Sequence, residues 1–192
     1  MSNYYIVVYD PPWAGPVSHP VDGLGIDLMQ GKKYDSYNES AKYNLEVDKL
    51  ANNPTDFPPL DYFSCADLTV FMSNKMRQCL EENGVDNIDY YNVEITYVAT
   101  GEQVDCFAAN VIGMLQAVDE AASDCQYLSA GHLLTVDKRV LNKEKLEGLK
   151  FVRFYEFATL LIVAEHIKEA LEAAGVTGIY FVEPEEWDDS ML

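Results

Sequence analysis

Basic residues are scarce in this sequence. Its 192 residues include 13 lysines and arginines against 32 aspartates and glutamates, which gives a formal net charge of −19 at pH 7. Such a protein repels nucleic acid phosphates and anionic lipid headgroups. The composition therefore predicts that neither nucleic acid nor a membrane is a partner. It favours a cationic protein partner, because the negative electrostatic field of the chain would steer such a protein into rapid association. The alternative is that the acidic surface serves only solubility.

Cysteines and long apolar runs are also few. The four cysteines are Cys65, Cys79, Cys106 and Cys125, and no two form a Cys-x-x-Cys pair. The ligand spacing of a metal site is therefore absent. The N-terminus does not have the pattern of a signal peptide, and no stretch approaches the roughly 20 apolar residues that cross a bilayer. These features predict a soluble, cytoplasmic protein with reduced thiols.

Recognised catalytic signatures are missing as well. The three histidines are His19, His132 and His166. The Glu165-His166 pair lacks the second histidine that a zinc protease motif needs four residues later. There is no Gly-x-Ser-x-Gly motif and no glycine-rich phosphate loop followed by a helix. We therefore predict no catalytic residue, no metal and no cofactor, and we expect that the protein is not an enzyme.

The segment Phe151–Pro184 is predicted to form a strand, a helix and a second strand. Apolar and aromatic residues open it, and the helix would place Val163 and Ile167 on one face. Gly175 follows the last apolar position of the helix, where glycine readily adopts the left-handed conformation that ends a helix. Ile179–Val182 is then predicted to be a short strand.

An earlier segment resembles this one without a gap. Residues 67–93 align with residues 158–184, and Gly84 falls on Gly175 at a constant offset of 91. A helix face, its terminal glycine and the following strand all correspond, which predicts an internal duplication. Two copies are too few for a solenoid. The alternative is that any two amphipathic helices ending in Gly-Val look alike.

The predicted fold class is α+β, with mostly antiparallel sheet and two main helices that come from two duplicated strand-helix-strand units. We expect one compact domain made of three parts. Residues 1–60 supply a strand and a segment rich in proline and tyrosine that wraps the core. Residues 61–184 form the core, and residues 185–192 form an acidic tail.

One stretch, Val104–Val118, is compatible with two structures. As a strand it would pair back on Val93–Ala99, and Gly113 would mark a bend or bulge. As a helix it would begin after Asn110 as the N-cap residue. The hairpin turn that precedes it and its recurring β-branched residues favour the strand.

Two sets of residues are candidates for contact with a protein partner. One is an acidic tail around a tryptophan, where an aromatic anchor is surrounded by charges that steer association. The other is a pair of tyrosines, a residue type that gives large contact area at low entropic cost. The candidates are Glu183, Glu185, Glu186, Trp187, Asp188, Asp189, Tyr34 and Tyr37. The alternatives are that Trp187 packs against the last strand and that the tyrosines serve ordinary strand packing.

Several residues together resemble a known family. They lie in the segments Ala109–Asp124, Val140–Phe154 and Leu161–Pro184. The pattern is similar to that of the immunity family numbered eleven of bacterial polymorphic toxin systems, formerly a domain of unknown function. The residues that fill the family's pattern are Asn110, Val111, Asp119, Ser123, Phe151–Phe154 and Gly175–Phe181. The resemblance spans about Phe63–Pro184, and the N-terminal third matches only through Met29–Lys32.

One position departs from the family pattern. Ala164 stands where the family usually has a serine, so the side chain that caps the following helix is expected to be lost.

The resemblance implies a non-enzymatic protein that binds and neutralises a cognate bacterial toxin. The acidic charge agrees with this role, because many such toxins are nucleases with basic clefts that an acidic inhibitor can occupy as a phosphate mimic. Two rival hypotheses come from other classes. One is a hydrolase or transferase with a site among Asp105, Asp119 and Glu94. The other is a structural module that forms homo-oligomers through a sheet edge or the tyrosine surface.

Overall fold

The computed structural model describes residues 3–10, 16–47, 59–127 and 133–187. Its strands, in chain order, are β1 Tyr4–Tyr9, β2 Pro16–Asp22, β3 Lys42–Val47, β4 Tyr62–Ser64, β5 Val70–Ser73, β6 Ile88–Asn92, β7 Glu94–Tyr97, β8 Glu102–Gln103, β9 Cys106–Val111, β10 Met114–Leu115, β11 Asp124–Tyr127, β12 Leu133–Lys138, β13 Phe151–Phe154, β14 Leu161–Ala164 and β15 Ile179–Val182. The α-helices are α1 Asn74–Glu82, α2 Lys143–Leu146 and α3 Glu165–Ala173, and a 3-10 turn occupies Leu28–Gln30. The predicted α+β class is confirmed.

The strands of the described residues form three sheets and a hairpin. The five-stranded sheet has the order β10-β13-β14-β1-β15, and the middle sheet has the order β4-β5-β9-β6. The N-terminal sheet has the order β2-β3-β7-β8, and β11 pairs with β12 alone. Among these strand pairs, only β10 with β13 and β3 with β7 are parallel.

The middle sheet separates two hydrophobic cores. On β5, Met72 belongs to the first core together with the five-stranded sheet and the helices. Its neighbour Phe71 belongs to the second core together with Tyr43 and Leu45 of the N-terminal sheet. This division follows from the strand geometry, because successive side chains point to opposite faces.

A serine cap and a glycine mark the two ends of the first helix. The Ser73 hydroxyl accepts a hydrogen bond from the Met76 amide at 3.2 Å, which caps α1. Gly84 follows the helix with φ +74°, and Gly175 ends α3 in the same way with φ +62°. Ala164 precedes α3 without any side-chain cap, so the predicted loss of that cap is confirmed.

The two segments that align in sequence adopt the same arrangement. The strand β5, helix α1 and strand β6 begin at residues 70, 74 and 88, and β14, α3 and β15 begin at residues 161, 165 and 179, each 91 residues later. In each unit a third strand lies antiparallel between the other two, β9 in the first unit and β1 in the second. The duplication itself stays a prediction.

One prediction about Phe151–Pro184 is wrong. Between the first strand and the helix lies the additional strand β14, and Val163 belongs to that strand and not to the helix face. All four residues of β14 are buried. A run that is apolar on both faces fits the interior of a sheet better than a helix with one exposed side.

The structure also decides how Val104–Val118 folds. It contains the strands β9 and β10, with a bend at Gly113 (φ +95°), as the favoured alternative predicted. The predicted pairing with Val93–Ala99 is wrong for β9 and β10, because β7 pairs with β3 and β8. Val104, before β9, is in contact with that strand, since its amide donates to the Ile95 carbonyl at 2.8 Å. β9 instead lies between β5 and β6, where its mostly buried residues are covered on both faces.

The N-terminal strand β1 lies inside the five-stranded sheet and pairs with both β14 and β15. It therefore shares the first core with the C-terminal half of the chain. The division of the chain into three parts stays a prediction.

Candidate functional site

A groove forms where β1 meets the end of β15. Its volume is about 150 Å³, and it is lined by Asn3, Tyr4, Tyr5, Leu141, Lys143, Glu183, Pro184 and Glu185. Burial raises the pKa of Tyr5, and the carboxylates of Glu165 and Glu183 raise it further against the opposing effect of Lys168. Two of the predicted contact residues, Glu183 and Glu185, thus line a groove in which an aromatic ring lies among carboxylates.

The C-terminal segment turns back immediately after β15. Pro184 has no amide hydrogen to donate to a sheet, and the Glu186 amide donates to the Glu183 carbonyl at 2.9 Å, which closes the turn. This turn leaves Glu183, Glu185 and Glu186 exposed. The predicted contact residues Asp188 and Asp189 lie outside the described residues.

Trp187 is directed into the interior by this turn and is only 1% exposed. The centroid of its ring lies 4.1 Å from the guanidinium carbon of Arg139 and 5.9 Å from the ring centroid of Phe157. A cation over an aromatic face away from water is a favourable contact. In this conformation Trp187 anchors the C-terminal segment and is not accessible to a partner as an exposed contact.

The predicted tyrosines lie elsewhere. Tyr34 is half-buried, and its hydroxyl donates to the Asp27 carbonyl at 2.5 Å. Tyr37 packs on the second core, with its ring centroid 4.6 Å from that of Tyr91. Because Trp187 belongs to the first core, the structure does not bring the two predicted sets together.

The three carboxylates of the hydrolase hypothesis have separate local contacts. Glu94 pairs with Lys42 at 2.9 Å, and Asp105 accepts a hydrogen bond from the Asn74 side chain at 3.4 Å. Asp119 accepts hydrogen bonds from the backbone amides of Ala121 and Ala122. Each of the three carboxylates is thus engaged by its own local partner. Within the described residues, no group of three or more histidine, cysteine or acidic residues is placed to bind a metal.

A larger cleft of about 510 Å³ lies between the five-stranded and middle sheets near the C-terminus of α1. Two of its polar side chains bind backbone carbonyls of the protein itself. The Lys150 ammonium donates to the carbonyls of Asn83 and Gly84, at 3.1 and 3.0 Å, and so caps the end of α1. The Asn87 side chain donates to the carbonyls of Ile112 and Phe151, both at 2.9 Å. This cleft could not be predicted from sequence patterns, because its lining residues come from three segments that are far apart in the chain.

The residues that carry the family resemblance hold the fold together. Asn110 is fully buried, and its side chain donates to the Lys32 carbonyl at 2.8 Å. The Gly113 amide donates to the Gly31 carbonyl at 2.7 Å. The Ser123 hydroxyl accepts from the Val140 amide at 2.9 Å. These contacts are structural and connect segments that are far apart in sequence.

The cysteines are all free thiols. Burial raises the pKa of Cys65, and burial together with Asp105 and Asp61 raises the pKa of Cys106 to about 12. Both thiols therefore stay protonated near neutral pH, where a nucleophile would need the thiolate.

The surface is more acidic than the composition alone suggests. Two of the positively charged residues, Arg139 and Arg153, are fully buried, and burial lowers the pKa of Arg153. In the described part of the chain, four ion pairs join Lys42 to Glu94, Lys75 to Asp61, Arg77 to Glu81 and Lys168 to Glu172. Most exposed carboxylates in that part of the chain therefore form no ion pair.

No helix of the described chain is long and apolar enough to cross a membrane.

The fold and surface thus define an acidic α+β protein. Its polar motifs stabilise the fold, and its exposed carboxylates are the main charged groups available for contact with another molecule. The chain matches the family model described as "Immunity protein family (Imm11)" over residues 16–186, and it belongs to that family. The match begins far upstream of the motifs in residues 63–184 and includes β2, β3 and the 3-10 turn. A search of the curated proteins found no match.

Proposed function

We propose that this chain is a cytoplasmic immunity protein that binds a cognate bacterial toxin through its acidic surface and blocks it without catalysis. The family match over residues 16–186 is the observation that carries the proposal. The net charge of −19 supports it, because a field of one sign steers an oppositely charged partner into contact.

A nuclease domain is the proposed class of toxin. A nuclease must hold phosphates in a basic cleft, and exposed carboxylates are the protein groups that can replace phosphate oxygens there. The burial of Arg139 and Arg153 in the interior leaves the acidic groups dominant at the surface. We propose that the exposed Glu183, Glu185 and Glu186 contribute to this contact.

Co-expression tests the function. The toxin domain encoded by the neighbouring open reading frame is produced with and without this protein, and growth, complex formation and nuclease activity are measured. Protection and a co-purifying complex are expected. If the neighbouring domain is toxic and the protein gives neither protection nor a complex, the proposal is overturned for that pair.

Association kinetics test the electrostatic part. The association rate should fall steeply as salt rises from about 50 to about 500 mM, because the Debye length shortens. The triple variant Glu183→Gln, Glu185→Gln, Glu186→Gln should associate more slowly and dissociate faster. The control Glu39→Gln, Glu46→Gln, Glu102→Gln removes the same charge at other exposed positions and should change only the association rate. Equal behaviour of the two variants would exclude direct contact through Glu183–Glu186.

A further inference from the structure

The turn between β4 and β5 holds a leucine in an unusual backbone conformation. Leu68 has φ +64°, and within the described ranges it is the one residue other than glycine with positive φ. The left-handed conformation is unfavourable for leucine because its Cβ crowds the following carbonyl oxygen. Its side chain is 49% exposed, so packing offsets little of that strain. Glycine would adopt this conformation without strain.

A second irregularity exposes another apolar side chain. In the pairing of β2 with β3, Pro20 lies opposite Tyr43 and Asp22 lies opposite Lys42, so Val21 is the extra residue of a bulge. Val21 is 62% exposed, the largest exposure among the large apolar side chains of the described chain. Bulges commonly redirect a side chain away from the sheet.

These two irregularities lie in segments that contact each other. Ser18 and Cys65 form a parallel bridge between the two segments, and the Ala66 amide donates to the Ser18 carbonyl at 3.3 Å. Farther along, a Cβ placed on Gly23 would lie 3.3 Å from Asp67 Oδ2. Cys65 begins a tight turn, in which the Leu68 amide donates to the Cys65 carbonyl at 2.9 Å. The turn that contains Asp67 and Leu68 therefore lies beside the segment that follows Ser18. We name this surface, formed by Val21, Asp22, Asp67 and Leu68, the apolar tip.

Carboxylates flank the two apolar side chains. Asp22 and Asp67 are exposed, and neither forms an ion pair within the described parts of the chain. Asp67 is held in place, since its Oδ1 accepts from the Thr69 amide at 3.0 Å and its Oδ2 from the Tyr43 hydroxyl at 3.4 Å. A tip of this composition fits a basic protein surface that contains an apolar recess.

We propose that the apolar tip is the anchor of the toxin interface, with Leu68 and Val21 inserted into an apolar recess on the toxin and Asp22 and Asp67 paired with basic side chains around it. This inference rests on the proposed function. Interface energy is typically concentrated in a few desolvated apolar anchors surrounded by polar groups. Long-range charge then governs the association rate, and the anchor governs dissociation.

The test separates binding from stability. The toxin domain encoded by the neighbouring open reading frame is titrated with wild-type protein and with Leu68→Gly and Val21→Ser, and thermal unfolding of each variant is measured alone. We expect each variant to bind at least tenfold more weakly, mainly through faster dissociation. Leu68→Gly should unfold at a temperature no lower than the wild type, because the substitution removes backbone strain.

A matched control comes from the same sheet. Val98 is 50% exposed, and its amide donates to the Leu45 carbonyl, at the end of β3 opposite to the Asp22–Lys42 pair. Val98→Ser should bind like the wild type. If the wild type binds the toxin domain and both tip variants bind within twofold of it, this inference is overturned and the proposed function stands. If the wild type itself does not bind, the proposed function fails, and this inference fails with it.

Discussion

Thr177 donates two hydrogen bonds to one carboxylate oxygen of Asp61. Its amide nitrogen and its hydroxyl each lie 2.9 Å from Asp61 Oδ2. The other oxygen of Asp61 accepts from the Ser73 hydroxyl at 2.7 Å, and the Lys75 ammonium lies 2.6 Å from Oδ2. One carboxylate thus connects the first strand-helix-strand unit to the loop that leads into β15.

Asp61→Asn should destabilise the protein in a pH-dependent way. Burial alone would raise the pKa of Asp61, but the hydrogen bonds from Lys75, Ser73 and Thr177 outweigh it and lower the pKa below its usual 3.8. Because the folded-state pKa is the lower one, this stabilisation is fully present above pH 3.8 and is lost as pH falls through the folded-state pKa. We expect the variant to lose about 2 kcal/mol of unfolding free energy at neutral pH.

Urea denaturation at neutral pH and at about pH 2.5 measures this effect. The difference between Asp61→Asn and the wild type should shrink at the lower pH. Asp86→Asn, a change at an exposed carboxylate, is the control and should have little effect at either pH. A loss of stability for Asp61→Asn that is equal at both pH values would contradict the role of the ionised carboxylate.

Ala164→Ser should stabilise the protein by about 1 kcal/mol, because a serine at this position can accept the Ile167 amide at the start of α3. Ser73 occupies the equivalent position in α1 and makes such a bond. Chemical denaturation measures the change. Since Ala164 is only 1% exposed, a loss of stability would show that the hydroxyl has no room there.

Gly178→Ala should destabilise the protein by roughly 3 kcal/mol, the combined cost of left-handed strain and overpacking. Gly178 has φ +89°, and a Cβ there would lie 2.1 Å from the Tyr62 carbonyl oxygen. Gly175→Ala is the matched control: φ is +62°, but no atom lies within 4 Å of the added Cβ. It should cost only about 1 kcal/mol, the strain alone. Equal losses in thermal or chemical unfolding would exclude the close approach to Tyr62 as the cause.

Trp187→Ala should lower the unfolding free energy by about 3–5 kcal/mol, because it removes a buried aromatic side chain and leaves a cavity. Trp187→Phe retains an aromatic face for Arg139 and should lose less. Chemical denaturation of both variants measures the difference. If Trp187→Ala is as stable as the wild type, the ring does not anchor the C-terminal segment.

Local features of the fold could be predicted from the sequence. The cap of α1 depends on Ser73 and the amide three residues later, and the left-handed turns at Gly84 and Gly175 depend on the absence of a side chain. The apolar composition of β1 and β15 likewise indicates strand wherever those strands pair. Such features involve neighbours in sequence, so a pattern of a few residues contains the whole interaction.

The candidate contact residues show what lies beyond such patterns. The sequence predicts Trp187 as a contact residue, and the exposed acids beside it support that interpretation, but its burial depends on Arg139, which is 48 residues away. Leu68 gave no signal in the sequence, because a leucine in a turn is unremarkable until its φ and exposure are known. The proximity of the segments that contain Val21 and Leu68 depends on a bridge between Ser18 of β2 and Cys65, which directly follows β4 and lies 47 positions later in the chain.

The sequence by itself determined the α+β class, the glycine-ended C-termini of α1 and α3, the acidic character and the family, because these depend on composition and on short-range geometry. Tertiary structure alone decided that β14 precedes α3, that β9 lies between β5 and β6, and that Asp61 meets Thr177 across 116 residues. The physical reason is that strand pairing and burial are set by partners distant in the chain. Those distant pairings also determine which side chains remain exposed at the surface for contact with a partner.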